Sequence, residues 1–295
     1  MLRDDAQPSA IRFWDRRAPD LTARRQRTLA GEVLVEGAGL HTGQPCRAAI
    51  KPAEEDVGII FRRDGVSIPA RVECVVSTSR STTLGRNGAT VGTVEHILAA
   101  MSGLRVDNAV VEVEGAEIPA LDGSALPICR AIMSTGLAEQ AKPAEYISLS
   151  RPIRVESASG FIVALPYSGC RIRYLMSYDH PLIGSQSADY ALEDDSFCEK
   201  VAPARTFVLY EEVEALRKKS LAQGGSLENV IVVWPDRMSS PPRMPGELSM
   251  HKLLDVIGDL SLVGAPLHGE VIAVRSGHAL NVRLARRIMG EHSDA

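Results

Sequence analysis

The sequence predicts an α+β protein made of two similar layered α/β sandwich domains, a duplicated arrangement with its active site at the domain interface. Three observations carry this. The chain is 295 residues long, beyond the size at which a single core usually stops growing. Much of it reads as short apolar segments punctuated by glycine and charge, the pattern of antiparallel hairpins. Each half also sets its hairpins ahead of a histidine-bearing helix followed by a strand, with His96-Ile97-Leu98-Ala99-Ala100 in the first and His251-Lys252-Leu253-Leu254-Asp255 in the second. A pair of like layers leaves a cleft between them, where sites are favoured.

Residues 1–27 hold seven arginines and four aspartates without an apolar run, so they lack the core of a secretory signal. They are read as an extra, flexible head, although an arginine-rich targeting segment or a misassigned start fits the same composition. The first domain is expected over 28–140. Val33-Leu34-Val35 is a strand, 36–43 is rich in turn residues, and 46–50 and 57–61 are further strands. Residues 92–101 form a helix whose free amides Thr93 is placed to cap. Residues 108–114 alternate as a strand, Asp122-Gly123 reads as a turn, and 126–137 returns to helical periodicity. Residues 138–146, with Lys142-Pro143, are the expected linker.

The second domain is expected over 146–290. Residues 146–149, 153–155, 161–165 and 172–177 read as strands, 210–219 as a charged helix, and 230–234 as a buried strand. A proline-rich loop, 235–247, then leads to a helix over 250–260 and a strand over 269–274 that ends at Ser276-Gly277-His278. On the 250–260 helix, His251, Asp255 and Asp259 are four apart and share one stripe. That stripe suits a divalent cation, since two ligand-type side chains one turn apart can reach a common point. It equally suits a half-exposed helix whose polar face meets water.

Hydrophobic residues at 45% and charged residues at 24% supply an ordinary globular core. The net charge of −4 argues against a nucleic-acid binder. Five scattered cysteines without C-x-x-C spacing indicate a reduced, cytoplasmic chain without a thiolate metal site. No run is apolar enough for a transmembrane segment.

A catalytic zinc takes three protein ligands and leaves the fourth position open. His96, His251 and Asp255 meet that count, and two neutral imidazoles with one carboxylate leave the ion a net positive charge to polarise a carbonyl and acidify water. Glu95, beside His96, is placed to take the proton, and His278 to stabilise charge or protonate a leaving amine. The short motif H-E-x-x-H is absent, and H-x-x-E-H fails because Gly92 stands at its first position. Such a site has to be assembled from distant segments.

Six separated motifs, in order, resemble the UDP-3-O-acyl-N-acetylglucosamine deacetylase family, which carries out the committed step of lipid A synthesis in Gram-negative bacteria. They are Thr93-Val94-Glu95-His96, Glu117-Ile118-Pro119 with Asp122-Gly123-Ser124-Ala125, Ala204-Arg205-Thr206-Phe207, Gly224-Gly225-Ser226, His251-Lys252 with Leu254-Asp255 and Ile257-Gly258-Asp259, and Ser276-Gly277-His278-Ala279-Leu280-Asn281. His41-Thr42-Gly43 also fits, and the likeness spans about 28–288. The resemblance implies Zn2+ held by His96, His251 and Asp255, with Glu95 as general base and His278 as the charged acid or electrostatic stabiliser. It implies that Thr206 hydrogen-bonds the oxyanion, that Asp259 orients and charges His278, and that Lys252 and Phe207 contact the substrate. The acyl chain is expected in an apolar passage formed by a strand-helix-strand insert near 205–233. The implied partner is a small UDP-sugar bearing an acyl chain, bound by a cytoplasmic monomer.

The likeness departs at Leu248-Ser249-Met250, where the residue before His251 is usually arginine, and at Val208, where glycine is usual. These departures leave open a divergent paralogue that deacylates another N-acyl amino sugar, or a non-catalytic sugar-nucleotide-binding homologue.

Overall fold

The computed structural model describes residues 24–192 and 195–293. The first half runs through β1 (Arg25–Leu29), β2 (Val33–Ala38), β3 (Pro45–Pro52), β4 (Ile59–Arg63), β5 (Val66–Pro69), β6 (Val75–Ser77), β7 (Thr83–Arg86), β8 (Ala89–Val91), α1 (Glu95–Gly103), β9 (Ala109–Glu114), α2 (Leu126–Thr135) and β10 (Leu137–Pro143). The second half contains β11 (Ile147–Ser148), β12 (Ile153–Glu156), β13 (Phe161–Leu165), β14 (Cys170–Ser177), β15 (Ser185–Ala191), α3 (Phe197–Lys200), β16 (Phe207–Leu209), α4 (Tyr210–Lys218), β17 (Ile231–Val233), α5 (Glu247–Leu260), β18 (Leu267–Val274) and α6 (His278–Ser293).

The two main sheets follow the same path. The first is ordered β2-β3-β9-β4-β5 and the second β12-β13-β18-β14-β15. Along each path one pair is parallel, that of the central strand with its far-side neighbour: β4 with β9, and β14 with β18, while β11 adds a short parallel pairing to β18 off the second path. The other pairs along both paths are antiparallel. A parallel pair needs a crossover between its strands, and in both halves that crossover contains the helix preceding the central strand, α1 or α5. These two helices pack against each other, α5 also lies on β14 and β15, and α6 covers β12 and β13. The fold is thus mixed α/β, with sheets outside and the two crossover helices between them.

Burial follows the pattern. In β14, Cys170, Ile172, Tyr174 and Met176 alternate inward, as one covered sheet face requires. Every residue from Glu95 to Met101 in α1 is buried, and in α5 all but Met250 and Lys252 are. Helices apolar on most sides belong in the centre of a protein, and the core is continuous across the join. The water-facing alternative for the His251, Asp255 and Asp259 stripe is therefore excluded.

Several expectations need correction. Arg24 donates to both carboxylate oxygens of Asp107 at 2.6 and 2.7 Å, and β1 begins at Arg25, so residues 24–27 belong to the first half. Residues 1–23 of the expected flexible head lie outside the described residues. The expected linker is mostly strand: β10 pairs antiparallel with β1, leaving 144–146 as the passage between halves. Thr93 does not cap α1. Its φ of 56° turns it out of the helix, and its hydroxyl donates to Glu117 Oε2 instead. The ribbon β6-β7-β8, the edge strands β5 and β15, and α6 are additional elements. Within 205–233 the chain forms β16, α4 and β17, with the two strands paired in parallel. No helix among the described residues is long and apolar enough to cross a membrane.

Candidate metal centre and active site

Where α1 crosses α5, a Cβ added at Gly258 would lie 2.1 Å from the Glu95 carbonyl oxygen. No other residue type fits such an approach without moving a backbone. The contact sets the first turn of α1 against the last turn of α5, and the ligand-type side chains of both helices meet beside it.

The donor atoms of His96, His251 and Asp255 all lie within 4.8 Å of one another, and all three residues are buried. Asp255 Oδ1 is 3.8 Å from His96 Nε2 and 3.5 Å from His251 Nε2. Donors bonded at about 2.0–2.1 Å to one tetrahedral ion stand about 3.3–3.4 Å apart, so only a small contraction closes the triplet. The flanking contacts select the atoms that face inward. His251 Nδ1 donates to the Ala204 carbonyl at 3.1 Å, which leaves the Nε2 lone pair directed at the cluster. Lys252 Nζ donates to Asp255 Oδ2 at 2.9 Å, leaving Oδ1 toward the imidazoles. Burial, and then the neighbouring His251, push His96 down to about 3, and burial likewise lowers His251. Burial works against the Asp255 charge, but Lys252 and the histidines hold its carboxyl well below the usual range. Two neutral nitrogens and one carboxylate suit zinc.

A second pair adjoins the triplet. His278, the first residue of α6, puts Nε2 3.9 Å from Glu95 Oε1 and Nδ1 2.9 Å from Asp259 Oδ2. A protonated ring at a helix N-terminus is disfavoured by the dipole, and burial also opposes it. The charge and hydrogen bond of Asp259 outweigh both, raising His278 to about 9. Burial pushes Glu95 up to about 7, against the pull of His278 and with a further push from Asp259 and Asp255. A carboxyl whose proton affinity is raised and an imidazole held in its charged form thus stand 3.9 Å apart.

Thr82 and Asn281 carry no expected role, yet both hold this pair in place. The Thr82 N–H donates to Glu95 Oε2 at 3.0 Å and its hydroxyl to Asp259 Oδ1 at 2.6 Å. Asn281 Nδ2 donates to Asp259 Oδ2 at 2.9 Å. Asn281 lies within the Ser276–Asn281 motif; Thr82 stands 177 residues from its Asp259 partner, and nothing in the local sequence signals it.

Seven predicted site residues therefore converge: Glu95, His96, His251, Lys252, Asp255, Asp259 and His278. Phe207 stands at the edge, its ring 5.6 Å from Lys252 Nζ and edge-on to Tyr178. Thr206 joins through its chain neighbours, between the Ala204 carbonyl on His251 and the Phe207 ring under Lys252. Asp122 is the expected turn residue, accepting from the Ser124 amide and hydroxyl. Met250 packs against the apolar core. A cavity of about 300 Å³ opens between Leu98 and Met101 of α1 and Ile257 and Leu260 of α5, and it is lined by none of these groups.

A buried two-histidine, one-carboxylate triplet beside a poised proton pair, set between paired sheets, defines the class of metal-assisted hydrolases. Comparison with known proteins narrows this. The family of UDP-3-O-acyl N-acetylglycosamine deacetylases matches residues 26–290. Relatives named UDP-3-O-acyl-N-acetylglucosamine deacetylase include one from Myxococcus xanthus (strain DK1622), 42% identical over 274 residues that cover 91% of this chain and 87% of the relative. Another, from Pseudomonas entomophila (strain L48), is 42% identical over 275 residues that cover 90% of this chain and 91% of the relative. The chain belongs to the UDP-3-O-acyl N-acetylglycosamine deacetylase family, and is accordingly a deacetylase, a hydrolytic enzyme.

Proposed function

We propose that the protein hydrolyses the acetamide of a UDP-linked 3-O-acyl-N-acetylglucosamine to the free amine and acetate, the committed step of lipid A biosynthesis, with Zn2+ held by His96, His251 and Asp255. The observation that carries this reading is the meeting of His96 from one half with His251 and Asp255 from the other. When bound, the zinc supplies Lewis acidity toward the acetamide oxygen and toward water.

The remaining steps belong to side chains. Glu95 Oε2 is occupied by the Thr82 amide, so Oε1 takes the proton from the attacking water. Protonated His278 directs its Nε2–H toward the same space; it stabilises negative charge on the tetrahedral oxygen and gives its proton to the departing amine. Asp259 occupies Nδ1 and keeps the ring charged. Thr206 donates its hydroxyl hydrogen to the developing oxyanion. Lys252 and Phe207 hold the sugar nucleotide, and β16, α4 and β17 wall the acyl passage. The two halves act as the domains of a cytoplasmic monomer.

Acetate release from the UDP-linked acylated sugar by purified, metal-quantified protein tests the proposal. Activity is expected to vanish on chelation and return with zinc. Turnover indifferent to both treatments removes the metal mechanism, and equal turnover of a sugar lacking the 3-O-acyl chain removes the substrate assignment.

A further inference from the structure

Three consecutive residues are tied to three different parts of the site. The Ala204 carbonyl accepts from the ring of His251. The Thr206 amide donates to the Gly123 carbonyl of the first half at 2.8 Å. Between them, Arg205 is buried and grips Glu247, the first residue of α5: its backbone N–H and Nε donate to Oε1 at 3.0 and 2.8 Å, and Nη2 donates to Oε2 at 3.1 Å. The remaining guanidinium donors reach Ser240 Oγ at 2.8 Å and the Pro241 carbonyl at 3.0 Å, inside the proline-rich loop. The tie continues outward, because Glu247 Oε2 also accepts from the Arg243 amide at 2.6 Å, and Arg243 Nη1 donates to Asp122 Oδ2 at 2.8 Å and to the Pro203 carbonyl at 3.1 Å.

A buried ion pair is often no better for stability than apolar residues of the same shape. This one uses a planar fork on four acceptors, which an ammonium group cannot reproduce. A carboxylate at the start of α5 is also favoured by the helix dipole. We propose that Arg205 is a positioning residue of the deacetylation reaction: its fork on Glu247 fixes segment 204–206 to the start of the ligand helix, setting Thr206 and the His251 ring at a defined separation. Arg243 and Asp122 extend the same tie to the first half. The turn is closely fitted, since a Cβ added at Gly123 would stand 1.9 Å from the Asn229 carbonyl oxygen and 3.3 Å from the Thr206 methyl group.

The inference rests on the proposed function, and its test separates the two. In the full-length, zinc-saturated protein, Arg205→Lys is expected to lower kcat per bound zinc by about ten- to a hundredfold, as loss of groups that orient ligands commonly does, with KM little changed. The visible absorption of its Co2+-substituted form is expected to shift as the His251 ring reorients. Arg243→Gln, at the more exposed end of the tie, is expected to lower kcat less and to keep the wild-type cobalt spectrum. Wild-type kcat in Arg205→Lys overturns the proposal. If that variant does not fold, unchanged kcat in Arg243→Gln overturns it. If the wild-type protein releases no acetate, the substrate reading fails, and identical cobalt spectra for wild type and Arg205→Lys then overturn the positioning claim independently.

Discussion

In the first half the crossover helix is nine residues long and contributes Glu95 and His96 from its opening turn. In the second half the corresponding helix has fourteen residues and contributes His251, Lys252, Asp255 and Asp259 along its length. The helices that follow the central strands differ as well. α6 opens on His278 and points it at Glu95, whereas α2 opens on Leu126-Pro127 behind a turn whose Asp122 holds Arg243. One strand path, used twice, thus carries two unequal sets of side chains. In the proposed mechanism one half brings a single cation ligand and the proton acceptor, and the other brings the remaining ligands and the acid. Neither set is complete alone, so the chemistry depends on the seam between the halves.

The most damaging way to break this comparison is to remove one ligand from either side. His96→Ala and His251→Ala are each expected to abolish zinc retention and turnover together, measured by metal analysis and acetate release; a variant that kept both would show that its half is dispensable. Next in size, Glu95→Gln is expected to lower kcat by about 10²–10⁴-fold while bound zinc stays at wild-type stoichiometry, separating proton transfer from metal binding within the same turn of α1. Thr206→Val sharpens the contribution of the second half, with a loss of about 10²–10³-fold if its hydroxyl serves the oxyanion; a loss below tenfold would remove that role. Gly258→Ala forces the crossover helices apart and is expected to cost about 1–3 kcal/mol, as overpacking does, read as a lower urea midpoint. The smallest effect is at the surface, where Arg80 of the first half meets Glu212 of α4 at 2.8 Å. Arg80→Ala is expected to change stability by less than about 1 kcal/mol.

The strongly periodic and motif-bearing parts of this architecture were legible in the chain. The 250–260 helix announces itself through its apolar spacing, and the six motifs name its polar stripe. The ribbon β6-β7-β8 does not, because its three- and four-residue strands are too short to establish a period. The four-residue spacing of Leu280, Leu284 and Ile288, all buried, does encode α6, but the Ser-Gly-His sequence ahead of it favours a turn. Thr93 matches a capping residue by type, and only the fold reveals that Glu117 competes for its hydroxyl. The roles of Thr82 and Arg205 depend on partners 177 and 42 residues away, so no local window contains them.

β1 is the outer strand of a ribbon whose other member, β10, is the last element of the first half. During synthesis that ribbon cannot zip until Pro143 has left the ribosome, so the amino-terminal unit closes late, on its own final segment. A gene shortened to start at Thr28 would lose Arg24, its clasp on Asp107, and much of the zipper. A gene shortened to start at Arg24 would keep them all.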